Sequence, residues 1–359
     1  MQKEYTIDLR ELENLEKEEI YDLLEAKLHL PNYCGTNLDA LYDALSQMEE
    51  CVINIIDCRK KEDCLSSDNK SFDDEKTNIE KDKESSREMT KERSSLHNGS
   101  SYIDRIRKVF EDVVEINPSI NLHIVDGIYL SKYISLYDYE YEKGKHYLNA
   151  SRRSPDRLVY TKSISEFKKM TADAVSCIVI VDNELYDEPR LLLSREYRYP
   201  TGQFLLSVPA GLIDLQDIEA AEFKTKDSYD DNNNEKSVNC FLSDIKSPAM
   251  KAAVREIKEE TGITLTDKDI IKTVNPLVFS TPGMTDESNA LVSVIIKSDI
   301  RGKLSQDGAE GAELFDGFEL MTKSKAKEIL KKGTDDNGIF YSVYTFIALM
   351  YFVSDMWTE

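Results

Sequence analysis

The run Arg255-Glu256-Ile257-Lys258-Glu259-Glu260-Thr261-Gly262-Ile263 constrains this chain more than any other stretch. Read as a helix, it places Glu256, Glu259 and Glu260 at i, i+3 and i+4, so three carboxylates share one face. Like charges held that close repel each other unless a cation stands among them. Clustered carboxylates are also hard oxygen donors of the kind that suits Mg²⁺ or Mn²⁺. The ends of the helix are legible: Ser247 can cap it, Pro248 suits its first turn and Gly262 the position just past its end. The same pattern fits a solvated charged helix in which Arg255 pairs with Glu259 at i+4.

The flanks separate these readings. Val208-Pro209-Ala210-Gly211-Leu212-Ile213-Asp214 lies upstream and Ser280-Thr281-Pro282-Gly283-Met284-Thr285-Asp286-Glu287 downstream. Together the three stretches resemble a Nudix hydrolase of the ADP-ribose pyrophosphatase branch. The family box is a glycine, five residues, a glutamate, seven residues, then Arg-Glu-hydrophobic-x-Glu-Glu-x-Gly-hydrophobic. The second half is complete here. The first half departs: Gly211 precedes Arg255 by 44 positions rather than 14, so 30 extra residues split the box, and its isolated glutamate is expected to fall on Ser247. The resemblance implies that Glu256, Glu260 and the backbone carbonyl of Ala210 ligate Mg²⁺ or Mn²⁺. It makes Glu259 a metal or water partner and Arg255 the group that holds the carboxylates. Gly211 is assigned to the substrate side.

Composition narrows the alternatives. The chain has 359 residues, enough for two domains, and 40% of them are hydrophobic, enough for real cores. A formal net charge of −22 argues against nucleic acid as a direct partner and favours basic proteins or metal-bearing substrates. The six cysteines show no CxxC pairing, and no basic-plus-apolar signal opens the chain, so reduced thiols in a cytoplasm are expected. The most apolar run, Ile339 to Val353, is too short to span a bilayer and reads as a buried helix, with no membrane association expected.

Residues 1–58 open with strand alternation at Tyr5–Leu9, continue through an apolar helical pattern and end on a β-branched strand at Val52–Ile56. Between them, Pro31 and Gly35 mark a loop and Asn37 can cap the helix that follows. The loop and helix from Leu30 to Leu45, with Tyr33, Gly35 and then Asn37-Leu38-Asp39-Ala40-Leu41-Tyr42-Asp43, resemble barstar, the intracellular inhibitor of a secreted ribonuclease. The resemblance implies partner contacts by Tyr33, Asp39, Tyr42 and Asp43 with a basic ribonuclease. In a structural reading, Asn37 and Asp39 merely start a helix and Tyr42 belongs to the core. Charge agrees with the first reading: residues 1–58 hold 14 acidic and 4 basic side chains. An acidic face of this kind suits electrostatic steering, a mechanism borrowed here from the barnase–barstar pair itself.

Residues 59–100 are mixed in charge, serine-rich and without apolar periodicity, and are expected to be a disordered insertion. The fold resumes with a helix at Tyr102–Ile116 and a strand at Ile120–Val125, which places the first domain at 1–126. Asp104 is the weak counterpart of an acid that the barstar resemblance puts near the start of that helix. Residues 127–359 then form the second domain, with a further insertion at 215–246. In the Nudix branch its N-terminal sheet pairs with a second subunit, so a homodimer through this domain is among the expected partners. An aromatic ring for adenine would come from Tyr137, Tyr139 or Tyr147, all of which also read as ordinary sheet tyrosines.

Ala174–Val181 and Arg190–Arg195 read as a hairpin. Arg198, in Ser194-Arg195-Glu196-Tyr197-Arg198, resembles the branch arginine that holds diphosphate or ribose. Glu310 and Glu313, in the acidic loop 307–313, are candidates for a catalytic base, and Glu287 is a third that is otherwise assigned to substrate. Fold class is α/β throughout: a barstar-like three-layer domain with a parallel sheet, then a Nudix α/β/α sandwich with a mixed sheet. The implied activity is Mg²⁺-dependent hydrolysis of a nucleoside diphosphate derivative, ADP-ribose to AMP and ribose 5-phosphate. The alternative is a non-catalytic nucleotide sensor whose barstar-like part inhibits a ribonuclease.

Overall fold

The computed structural model describes residues 3–31, 35–59, 101–214, 216–218, 245, 247–306, 308 and 314–358. It falls into two compact units: residues 1–168 with Gly283–Asp286, and Lys169–Pro282 with Glu287–Glu359.

The first unit is built on a five-stranded sheet in the order β1 (Lys3–Asp8), β2 (Cys51–Asp57), β3 (Ile120–Tyr129), β4 (Ser135–Glu142), β5 (Lys145–Ser151). The first three strands are parallel and the last two antiparallel. Parallel neighbours need crossovers, supplied here by helices α1 (Lys17–Leu28) and α2 (Leu38–Ser46) between β1 and β2 and α3 (Tyr102–Ile116) between β2 and β3. Alternation along β2 sends Cys51, Ile53 and Ile55 into the core shared with Leu24, Leu41, Ile106 and Phe110. Ile56 faces the other way and joins Val125, Tyr137, Tyr139 and Leu158 in a smaller cluster. That second face gives the unit its third layer. The boundary expected after residue 126 lies inside β3, because β3 continues into a meander that completes the same sheet. Tyr137 and Tyr139 are buried sheet residues, and Tyr139 stacks on Tyr160 with ring centroids 4.3 Å apart. A single-turn helix, α4 (Ile164–Phe167), opened by a capping box at Ser163 and Glu166, follows.

A charge network closes the carboxyl ends of β2 and β3. Asp57, its side chain 2% exposed, accepts from Arg59 and from Arg107. Arg107 also donates to both oxygens of Asp126 and to Glu111. Arg59 reaches across to Asp104 and Ser101, the capping box that starts α3. Burial alone would raise the Asp57 carboxyl, but the two guanidinium groups hold it down at about 2.

The second unit has a mixed sheet in the order β10 (Ile270–Phe279), β11 (Ser288–Ile296), β6 (Ala174–Val181), β7 (Arg190–Arg198), β12 (Phe315–Met321). The short strands β8 (Gln203–Ser207) and β9 (Ala210–Leu212) pair with β7 and β6. Helix α5 (Pro248–Thr261) covers one face: Ala252, Ala253 and Ile257 meet Val175, Cys177, Val179, Val292 and Val294. Helices α6 (Lys323–Lys332) and α7 (Val343–Ser354) cover the other, where Ala326, Ile329, Ala348, Leu349 and Phe352 meet Ile178, Ile180, Leu191 and Leu193. The two faces of β6 thus serve two cores, as expected of a central strand apolar on both sides. Helix α7 departs from the expectation of full burial. Thr345, Ala348, Leu349 and Phe352 are inside, while Val343, Phe346 and Met350 form an exposed stripe. Among the described residues no helix is long and apolar enough to cross a membrane, and Cys51, Cys58 and Cys177 are buried free thiols.

Candidate active site

Helix α5 begins after Ser247, whose side chain makes no capping hydrogen bond, and ends on Gly262 at φ 72°, a left-handed conformation that costs glycine little. In between, Glu256 and Glu260 are almost fully buried and Glu259 is partly exposed. What makes the burial of Glu256 tolerable is Arg255. Its Nη1 donates to Glu256 Oε1 at 2.6 Å and to Glu259 Oε2 at 3.1 Å, and its Nη2 to the Leu212 carbonyl at 2.8 Å and to Asp217 Oδ2 at 3.0 Å. Burial works against the charge, yet the bond to Asp217 and the negative charges of Glu256 and Asp217 push the guanidinium pKa upward. Arg255 therefore stays a cation and gathers three acids and a strand backbone.

Strand β9 brings the upstream stretch to the helix. Ala210 N–H donates to Glu260 Oε1 at 3.3 Å. A Cβ on Gly211 would overlap the Glu256 carboxylate, so glycine here is what lets the strand lie directly on the acid. The expected residues Ala210, Gly211, Arg255, Glu256, Glu259 and Glu260 thus sit together. Among the described residues, however, no group of three or more His, Cys, Asp or Glu is arranged to hold a metal ion; Glu256 and Glu259 are turned onto Arg255 and Glu260 onto the Ala210 amide.

Asp217 escapes the sequence reading, which places it in an insertion and puts the isolated acid of the box on Ser247. Asp217 is 5% exposed and is locked by reciprocal bonds with Asp214 as well as by Arg255. The signal is present in the chain: leaving five residues after Gly211 lands on Asp217, whereas leaving seven before Arg255 lands on Ser247. The extra residues therefore lie after the acid of the box.

Other expected residues are more dispersed. Arg198 ends β7, half-exposed, with Nη2 2.6 Å from Glu196 Oε2. Glu287 is partly buried just before β11. Glu310 and Glu313 lie outside the described residues, as does Tyr33. Asp39 and Asp43 are exposed on α2, and Asn37 caps that helix by accepting from Ala40 N–H at 2.9 Å. Tyr42 is partly buried against the core. Asp104, its side chain 46% exposed, is bound to Arg59 and to the backbone N–H of Ser101.

Comparison with known proteins follows this division. The family model described as Barstar (barnase inhibitor) matches residues 2–75. A protein called putative nudix hydrolase 2 from Caenorhabditis elegans is 32% identical over 131 residues, 36% of this chain and 42% of that one. An uncharacterized Nudix hydrolase of Schizosaccharomyces pombe is 26% identical over 165 residues, 45% of this chain and 63% of its own. The ADP-sugar pyrophosphatase of Mus musculus is 28% identical over 144 residues, 40% and 50% respectively. The chain joins a barstar-like part to a Nudix-like part. It spans about half the length of the curated relatives it matches. A crystal structure of an ADP compounds hydrolase aligns over 65% of this chain and 90% of its own, at 15% identity and a TM-score of 0.34.

Proposed function

We propose that the Nudix-like unit is a divalent-metal-dependent pyrophosphatase acting on a nucleoside diphosphate derivative, with ADP-ribose, cleaved to AMP and ribose 5-phosphate, as the leading substrate. The observation that carries this reading is the set of acids on one face of α5, Glu256 and Glu259 held by a single arginine that also bonds the Leu212 carbonyl, and Glu260 held by the Ala210 amide. Its donors are hard oxygens, which suit Mg²⁺ or Mn²⁺. The missing Cβ at Gly211 leaves Glu256 room beside the strand. Glu256, Glu260 and the Ala210 carbonyl would hold the ion, which supplies charge neutralisation at the phosphates and a water of lowered pKa. Arg255 keeps Glu256 and Glu259 oriented. Arg198, at the end of β7, would supply a fork for diphosphate or ribose. Glu259, Glu287, Glu310 and Glu313 are the carboxylates available to take the proton of the attacking water.

The barstar-like unit would carry the interaction. Asp39 and Asp43, exposed on α2, together with the acidic excess of residues 1–58, favour a basic ribonuclease as partner. A second copy of the chain, joined through the Nudix-like part, is a further partner in this reading. A cytoplasmic place follows from the cysteine usage.

The test is hydrolysis of a panel of nucleoside diphosphate derivatives with Mg²⁺, followed by product identification. AMP and ribose 5-phosphate from ADP-ribose are the expected products. No turnover of any panel member, with tight binding of one, would leave the nucleotide sensor in its place.

A further inference from the structure

The segment after β11 returns to the end of α5 and lies against it backbone to backbone. Ser305 N–H donates to the Thr261 carbonyl at 3.0 Å. Gly262, beside it, has no room for a side chain, because a Cβ there would overlap the Lys303 carbonyl. A second close approach lies one turn back along the helix. A Cβ on Gly308 would stand 2.5 Å from the carbonyl oxygen of Glu259, 3.0 Å from its Cα and 3.1 Å from its carbonyl carbon, where real Cβ atoms essentially never come nearer than 3.0 Å. All three obstacles are helix backbone, which cannot swing aside as the tip of a flexible side chain would.

The residue touched is Glu259, whose carboxylate takes 3.1 Å from Arg255 Nη1 and shares that nitrogen with Glu256. On the reading that these acids are the active site, we propose that Gly308 is a positioning residue for Glu259. Its bare Cα lets the chain at this one residue lie against the helix, which fixes this turn of α5 and the direction in which the Glu259 carboxylate leaves it. Any larger residue at 308 must push either its own backbone or that of Glu259 by several tenths of an ångström. Sub-ångström misplacement of a reacting group costs rate far more than affinity.

Gly308→Ala in the full chain, assayed with ADP-ribose and Mg²⁺, should lower kcat about tenfold or more with KM within about twofold of wild type. Gly302→Ala is the comparison: Gly302 stands at φ 67° with nothing within 4 Å of its Cβ position, so it should lower the melting temperature and leave kcat alone. The decisive measurement is a double-mutant cycle with Glu259→Gln, in which Gly308→Ala should add almost nothing once the carboxylate is gone. An additive cycle, an unchanged kcat, or a kcat loss that merely tracks a fallen melting temperature would overturn the assignment. If Gly308→Ala fails to fold, Ser305→Pro, which removes the amide bonded to Thr261, enters the same cycle with the same expected non-additivity. A wild-type protein inactive on every substrate of the panel would instead overturn the functional reading itself.

Discussion

Each unit holds a cluster of acids around arginine, and the two clusters are organised differently. In the first unit, two guanidinium groups, Arg59 and Arg107, are spread over Asp57, Asp104, Asp126 and Glu111, and both oxygens of Asp57 and of Asp126 accept from them. In the second unit a single guanidinium, Arg255, serves Glu256, Glu259 and Asp217, with Glu260 set apart on the Ala210 amide. The first cluster turns both of its guanidinium groups onto its one deeply buried acid, Asp57, and joins strand ends to a helix. The second concentrates negative charge around one fixed cation. A buried acid met by two arginines thus serves a scaffold, whereas buried acids that share one leave, on the proposed reading, a place for a further cation.

The comparison can be broken most sharply at Glu260. Glu260→Gln should cost roughly a hundredfold to a thousandfold in turnover of ADP-ribose, and unchanged turnover at saturating Mg²⁺ would remove the site. Next is Arg107→Met, which leaves the buried Asp57 carboxylate to Arg59 alone and should destabilise the first unit by about 2 kcal/mol while leaving turnover alone. The chain's one tryptophan, Trp357, lies in the core of the second unit. Its fluorescence should keep its wild-type transition while the circular-dichroism transition of the first unit moves down. A smaller effect is expected from Asp217→Asn, about tenfold in kcat, since it loosens Arg255 without removing an acid of the helix; equal kcat in the two proteins would make Asp217 a bystander.

The pH response should separate the clusters as well. Asp57 is held at about 2, below its ordinary 3.8, so its contribution to folding is complete above the ordinary value and is lost as pH falls from about 4 towards 2. Acid titration followed by circular dichroism should show that loss in wild type and a shallower dependence in Arg107→Met. A dependence of equal steepness would mean that Asp57 does not link the network to pH.

Much of this is legible in the sequence because alternation and capping act locally. Strand β6 and helix α3 fall on the stretches their apolar patterns mark, and Gly262 ends α5 where a left-handed residue is needed. The acids of α5 can be placed on one face from spacing alone. So can the pairing of Arg255 with Glu259 at i+4; what Arg255 meets beyond the helix cannot, because that depends on β9 arriving with Leu212 and on Asp217 folding back from the chain that follows. Asp217 is hidden by a choice of origin: distance along a chain carries structural meaning only on one side of an insertion. A deletion begun at residue 216 as though nothing there mattered would remove it. Helix α7 reads as buried because its residues are apolar all round, and periodicity says nothing about how much of a helix its neighbours cover.

That uncovered stripe has a consequence for the protein as a solute. The net charge of −22 keeps copies apart over distances set by the screening length, about 30 Å in very dilute salt and about 8 Å at physiological strength. Val343, Phe346 and Met350 attract only at contact. Added salt shortens the first force and leaves the second untouched, so the chain is most soluble in dilute buffer and becomes less so as electrolyte is added.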